Sequence, residues 1–109
     1  VIGSGVTGVE FVHMFSSLGS KVTLVVSRQQ VLPSKDPEVA AVLEEDFLAR
    51  GVRLLKGAKA TAIERDDATG GVVVRCDDGR VVNASHAVLA IGSIPNTEHL
   101  GLDLAGIGI

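Results

Sequence analysis

The sequence predicts an α/β fold in three layers, a parallel sheet with an antiparallel three-stranded meander set against it. Three observations carry that reading. Strand-length apolar runs alternate with helix-periodic segments through the first half of the 109 residues, the pattern of βαβ units joined by short connections. From Lys59 onward the pattern switches to short segments separated by Asp- and Gly-containing turn chemistry, which reads as hairpins. Hydrophobic residues make up 46% of the chain and aromatics only 3%, a balance that suits a buried parallel sheet rich in Val, Leu and Ala. The length allows one modest domain around one core.

Val1-Ile2 read as the last residues of a buried strand. Residues 6–18 follow as a helix, with Phe11, Phe15 and Leu18 at the spacing of one helix face and Gly19 as its stop. Residues 21–26, KVTLVV, form a β-branched strand. A polar loop containing Pro33 leads to a second helix, where Asp36 is placed to cap the N-terminus and Pro37 is tolerated at the first helical position. Val39, Leu43 and Phe47 share one face of that helix, with Glu38, Glu44 and Glu45 elsewhere, and Gly51 ends it. Residues 52–55 are the third strand, and right-handed crossovers make the three strands parallel. Residues 59–66, 71–78 and 80–85 are the meander. Residues 87–91 return as a buried strand, and the remainder is loop-like. The chain is expected to be an excerpt from a longer protein, since it opens on the end of a strand.

Composition excludes several function classes. The formal net charge is −3 with both signs interspersed, and Trp and Tyr are missing, which argues against nucleic-acid binding. No apolar run reaches the roughly 18 residues needed to cross a bilayer, so no membrane partner is expected. A single cysteine, Cys76, cannot form an internal disulfide and fits a reducing cytoplasm. His13, His86 and His99 lack metal-ligand spacing, and Asp66-Asp67 and Asp77-Asp78 read as solvated acids flanking turns. No metal is expected.

The stretch VIGSGVTGVE places Gly3, Gly5 and Gly8 as G-x-G-x-x-G between a strand and a helix. Gly3 permits a tight turn, Gly5 removes a side chain where a phosphate approaches the backbone, and Gly8 lets the helix lie close on the strand. The free N–H groups and dipole at the helix start attract an anion. Gly3, Ser4, Gly5, Val6, Thr7 and Gly8 are therefore candidate contacts of a dinucleotide pyrophosphate.

Two further stretches narrow the reading. Glu10 completes GSGVTGVE, and AIGSIPN, residues 90–96, follows the returning strand. Together they resemble the pyridine-nucleotide domain of the FAD-dependent pyridine nucleotide-disulfide oxidoreductase family, which includes lipoamide dehydrogenase and quinone reductases, and VLPSKDPEVAAVLEEDFLARGV, residues 31–52, resembles its lipoamide dehydrogenase side. The resemblance implies a Rossmann-like nucleotide-binding domain over residues 1–92 and a return segment toward the FAD-binding domain over residues 93–109. It implies NAD(P)H bound by this domain, and FAD bound mainly by segments outside this chain. It also implies a homodimer formed through a C-terminal domain outside it. Glu10 matches the family glutamate beside the flavin, the one residue the resemblance assigns to the catalytic centre. Ala60 matches the small residue bordering the adenine, and Gly92 the glycine whose backbone approaches the nicotinamide end. The redox cysteine pair and the catalytic His-Glu pair of the family lie outside this chain.

The resemblance implies a hydride passed from NAD(P)H to FAD, with dihydrolipoamide, a quinone or another species as the second partner. A non-enzymatic nucleotide-sensing module would share the glycine turn without needing the meander or AIGSIPN. An ordinary dehydrogenase would pair NAD(P) with a substrate domain and carry no flavin. NAD-preferring folds place an acid at the end of the second strand to hold the ribose hydroxyls. Here that position is Val26, followed by Ser27 and Arg28. The carboxylate that would repel a 2′-phosphate is missing, and Ser27 and Arg28 offer hydrogen bonds to one. Use of both cofactors, with a lean to NADPH, is expected.

Overall fold

The computed structural model describes residues 1–108 and contains helix α1 (Val6–Ser17), strand β1 (Thr23–Val26), helix α2 (Pro37–Ala49) and strand β2 (Arg53–Lys56). Strands β3 (Ala60–Asp66), β4 (Gly71–Cys76) and β5 (Val81–Ala84) follow. Strands β1 and β2 pair in parallel, Thr23 opposite Arg53 through Val26 opposite Lys56. Ile2 extends this sheet by single parallel bridges, to Val25 on one side and Leu89 on the other. Strands β3, β4 and β5 form a separate antiparallel sheet in that order. Thr61 is the extra residue of a bulge where β3 meets the end of β4, and its hydroxyl donates to the Arg75 carbonyl at 3.2 Å.

Successive strand residues face opposite ways, and β1 shows what this does for the layers. Leu24 and Val26 join Val9, Val12, Val31, Ala40 and Phe47 in the core beneath the two helices. Val25 points the other way and packs with Ile2, Leu55, Ala58, Val74, Cys76 and Val82 between the parallel sheet and the meander. Helices, parallel sheet and meander are thus three layers with a core on each side of the middle one. Phe47 is among the largest fully buried side chains, and its truncation to alanine costs about 3–5 kcal/mol. Cys76 is buried in the second core. Loss of hydration there raises its thiol pKa, with Asp78 and Asp77 adding to the rise and Arg80 opposing it.

The helix ends follow their local chemistry. Asp36 caps α2, its Oδ1 accepting the Glu38 and Val39 amides at 2.8 and 3.4 Å, and Pro37 opens the helix. Gly19 and Gly51, with φ of 94° and 83°, turn the chain out of the helices in a conformation that other residues rarely adopt. Glu44, off the apolar face of α2 as read from the sequence, bridges two elements. Its carboxylate accepts from the Val31 amide at 2.9 Å and pairs with Lys56 at 2.7 Å.

Three expectations need correction. The core-facing side of α1 is Gly8, Val9 and Val12; Phe11 and Phe15 are half-buried and stack on each other at 5.9 Å, while Leu18 is 76% exposed. In α2 the buried positions are Ala40 and Phe47, and Val39 is exposed. Residues 87–91 form no extended strand. They follow Ile2 through two hydrogen bonds, Ile2 amide to Val88 carbonyl and Ala90 amide to Ile2 carbonyl, each 2.8 Å, and leave Leu89 and Ile91 59% and 70% exposed. They are paired on the Ile2 side only, which gives too few ladder bonds for a strand and too little cover for burial. Ile109, the last residue of the expected return segment, lies outside the described residues.

Candidate functional site

The glycine turn sits at the C-terminal edge of the parallel sheet. The Gly3 amide donates to the Val25 carbonyl at 3.2 Å, and the Ser4 carbonyl accepts from Leu32 at 2.8 Å, which ties the turn to the loop after β1. The three glycines differ in their surroundings. Gly3 has a φ of +108°, and a Cβ there would run into the Ala90 carbonyl. A Cβ on Gly8 would meet the Gly3 carbonyl, so α1 can start against the turn only without one. Gly5 meets nothing within 4 Å and has an ordinary extended backbone with φ of −71°. Nothing inside the chain demands a glycine there, and the position faces open space.

Helix α1 begins at Gly5 with no side-chain cap and no acid in its first turn. Its first-turn N–H groups thus keep their hydrogen-bonding capacity and the positive end of the helix dipole for an external acceptor. The capped α2 uses its own carboxylate for the same purpose.

A cleft of about 700 Å³ opens beside the turn, between the end of β1 and the start of β3. Among the sequence-predicted residues, Gly3, Ser27, Arg28 and Ala60 line it. Ser27 and Arg28 are exposed and Ala60 half-buried. Backbone bonds hold the two walls together: the Ala58 amide donates to the Val26 carbonyl at 3.1 Å and the Gly57 amide to the Arg28 carbonyl at 3.0 Å.

The remaining predicted residues are not part of this lining. Gly5, Val6 and Thr7 are exposed at the start of α1, whereas Ser4, just before the helix, and Gly8, in its first turn, are buried. Glu10 is exposed on α1 and belongs to none of the four ion pairs among the described residues. Gly92 is exposed with φ of +152°, one residue beyond the cleft-lining Ile91. Val26 has no exposed surface and lies in the core beneath the helices; its side chain turns away from the cleft. What that position contributes to the cleft is the lack of a carboxylate. Lys59 and Asp77 also line the cleft; the sequence reads Asp77 only as a solvated turn acid and gives Lys59 no role. The signal was Lys59 standing next to Ala60 at the head of a strand. Among the described residues no group of His, Cys, Asp and Glu is arranged to hold a metal, and no helix is long and apolar enough to cross a membrane.

A family model described as pyridine nucleotide-disulphide oxidoreductase matches residues 1–109. The chain is 53% identical over 107 residues to a Mycobacterium tuberculosis NAD(P)H dehydrogenase (quinone), covering 98% of this chain and 21% of that protein. The crystal structure of LpdA from Mycobacterium tuberculosis superposes with a TM-score of 0.79 at 52% identity, covering 99% of this chain and 23% of the other. An engineered water-forming NADPH oxidase, a five-substitution mutant bound to NADPH, superposes with a TM-score of 0.80 at 27% identity, covering 94% and 22%. The chain spans about a fifth of the length of the curated relatives it matches.

Proposed function

This chain belongs to the pyridine nucleotide-disulphide oxidoreductase family, and on that premise we propose that it is the NAD(P)H-docking domain of a flavoprotein oxidoreductase. One observation carries the proposal. The glycine that nothing in the fold requires, Gly5, stands at the uncapped start of α1, in the turn whose Gly3 lines the cleft with Ser27, Arg28 and Ala60. A dinucleotide needs both features, donors for its pyrophosphate and a groove for its adenosine.

In this reading the turn from Gly3 to Gly8 holds the pyrophosphate through backbone N–H groups, and the lack of a Gly5 side chain lets the phosphate reach them. Ala60 borders the adenine, and Ser27 and Arg28 face the adenosine ribose. The Gly92 backbone flanks the nicotinamide end, and Glu10 stands near the flavin. Residues 1–92 form the nucleotide-binding unit and residues 93–109 lead back toward the flavin domain. When bound, NAD(P)H supplies a hydride and FAD accepts it. This chain's contribution is to bind and orient the donor. Assembly as a homodimer and a cytoplasmic setting belong to the same proposal.

Cofactor choice follows from the second strand. The engineered oxidase bound to NADPH carries substitutions of an aspartate by alanine and of the next two residues by arginine and serine. In this chain Val26 ends β1 and Ser27 and Arg28 follow it, with no acid among them, which supports use of NADPH beside NADH. The name of the Mycobacterium tuberculosis relative favours a quinone over dihydrolipoamide as the second substrate.

The test uses the intact protein. It should be yellow, with flavin absorbance that bleaches when NADPH or NADH is added without oxygen and returns when a quinone is supplied. A colourless protein that binds nucleotide without turnover would instead be a sensing module or a flavin-free dehydrogenase.

A further inference from the structure

The cleft holds a second cation. Lys59 stands just before β3, in the segment that runs beside Ser27 and Arg28, and lines the same space. The bonds from Gly57 to Arg28 and from Ala58 to Val26 clamp the segment just before Lys59 against the strand end that bears Arg28. The Lys59 amide is fixed in turn by Asp77, whose Oδ1 accepts it at 3.0 Å. Among the described residues neither Arg28 nor Lys59 enters an ion pair, whereas Arg50, Lys56, Arg75 and Arg80 each hold a carboxylate. The charged groups lining the cleft are Arg28, Lys59 and Asp77, two cations to one anion. Two cations outside any ion pair, lining one groove from neighbouring segments, suit a doubly ionised phosphate better than they suit a pair of ribose hydroxyls.

We propose that Lys59 is a specificity-determining residue for nucleotides phosphorylated at the adenosine 2′ position, gripping that phosphate from the β3 side while Arg28 grips it from the β1 side. The inference rests on the reading of this cleft as the dinucleotide site. It assigns part of the cofactor choice to the loop between β2 and β3, beyond the strand end where the choice is read from sequence.

The experiment titrates the intact protein with 2′-phospho-ADP-ribose and with ADP-ribose by calorimetry, comparing the parent with Lys59→Gln, Lys59→Arg and Arg28→Gln. Lys59→Gln is expected to raise the Kd for the 2′-phosphorylated ligand about fivefold relative to ADP-ribose, the size of one exposed charge pair. Lys59→Arg, which keeps the charge, is expected to retain most of the parent's discrimination. An equal change for the two ligands, or none, while Arg28→Gln still lowers discrimination, overturns the role of Lys59 and leaves the dinucleotide site standing. A parent protein that binds neither ligand overturns both.

Discussion

The carbonyl oxygen of Gly3 occupies the space in which a Gly8 side chain would begin, so α1 rests directly on the turn that precedes it. Gly8→Ala must therefore push helix and turn apart, at a cost of about 1–3 kcal/mol, seen as a lower urea midpoint of the intact protein. Gly5→Ser meets only open space and installs a favoured N-cap, so stability should stay within about 0.5 kcal/mol. If the proposed phosphate site is right, its hydroxyl competes for a helix-start amide, and the KM for NAD(P)H should rise. Similar destabilisation by both changes would show that the two glycines serve packing alike.

The proposed use of NADPH beside NADH should be tunable at Ser27. Val26 is the position that carries an acid in NAD-preferring folds, but its side chain is buried in the core. Val26→Glu would bury a carboxylate without a partner and threaten the fold. Ser27 is exposed and lines the cleft, so Ser27→Glu places the repelling charge where the 2′-phosphate would lie. Steady-state kinetics should show kcat/KM for NADPH falling on the order of tenfold relative to NADH, as expected for juxtaposed like charges. An unchanged ratio would remove the strand end from the choice of cofactor.

Arg50 ties the C-terminal ends of the two helices together. Its guanidinium donates to the Ser16 and Ser17 hydroxyls at 2.8 and 2.9 Å and to the His13 carbonyl at 3.2 Å, and it pairs with Asp46 at 3.3 Å. One planar fork reaching this many acceptors cannot be copied by an ammonium. Both Arg50→Ala and Arg50→Lys should lower stability, the alanine variant by about 1–2 kcal/mol, with bound nucleotide affinity little changed. Full rescue by lysine would mean that charge alone matters there.

The turn between β4 and β5 should titrate. Asp78 is held below the ordinary carboxylate range because the Arg80 amide and guanidinium donate to it. A depressed carboxyl pKa stabilises the fold above the unfolded value and loses that contribution as pH falls through the folded one. The turn should therefore loosen on acidification below about pH 4, and Asp78→Asn should flatten that part of the stability curve. NMR titration of the Asp78 carboxyl gives the direct check, and an ordinary midpoint would contradict it.

Local chemistry was legible in the sequence, and long-range geometry was not. The cap at Asp36, the stops at Gly19 and Gly51 and the hairpin turns each depend on a few adjacent residues, and they stand where the sequence puts them. Helix faces are harder. Val6, Val9, Phe11, Val12, Met14, Phe15 and Leu18 are apolar around much of α1, so its periodicity fits more than one phase, and only packing selects Val9 and Val12. Val26 is a candidate cofactor position in the sequence, yet alternation along β1 sends its side chain inward with Leu24. Lys59 gains its interest from Arg28, a neighbour brought close by the pairing of Gly57 and Ala58 with the end of β1. Spacing along the chain carries no trace of that.

The two bridges of Ile2 also bear on how the molecule assembles. Each meander strand is followed closely by its partner, so the hairpins can zip over short loops. Ile2 must instead meet Val25 across an intervening helix and Leu89 across nearly all the remaining chain. Closing long loops is slow because the entropy is lost before the contacts are gained. The middle of the parallel sheet, and with it the Gly3 turn that begins one residue later, is thus expected to be the last part to knit, so folding of the glycine turn follows the rest of the domain.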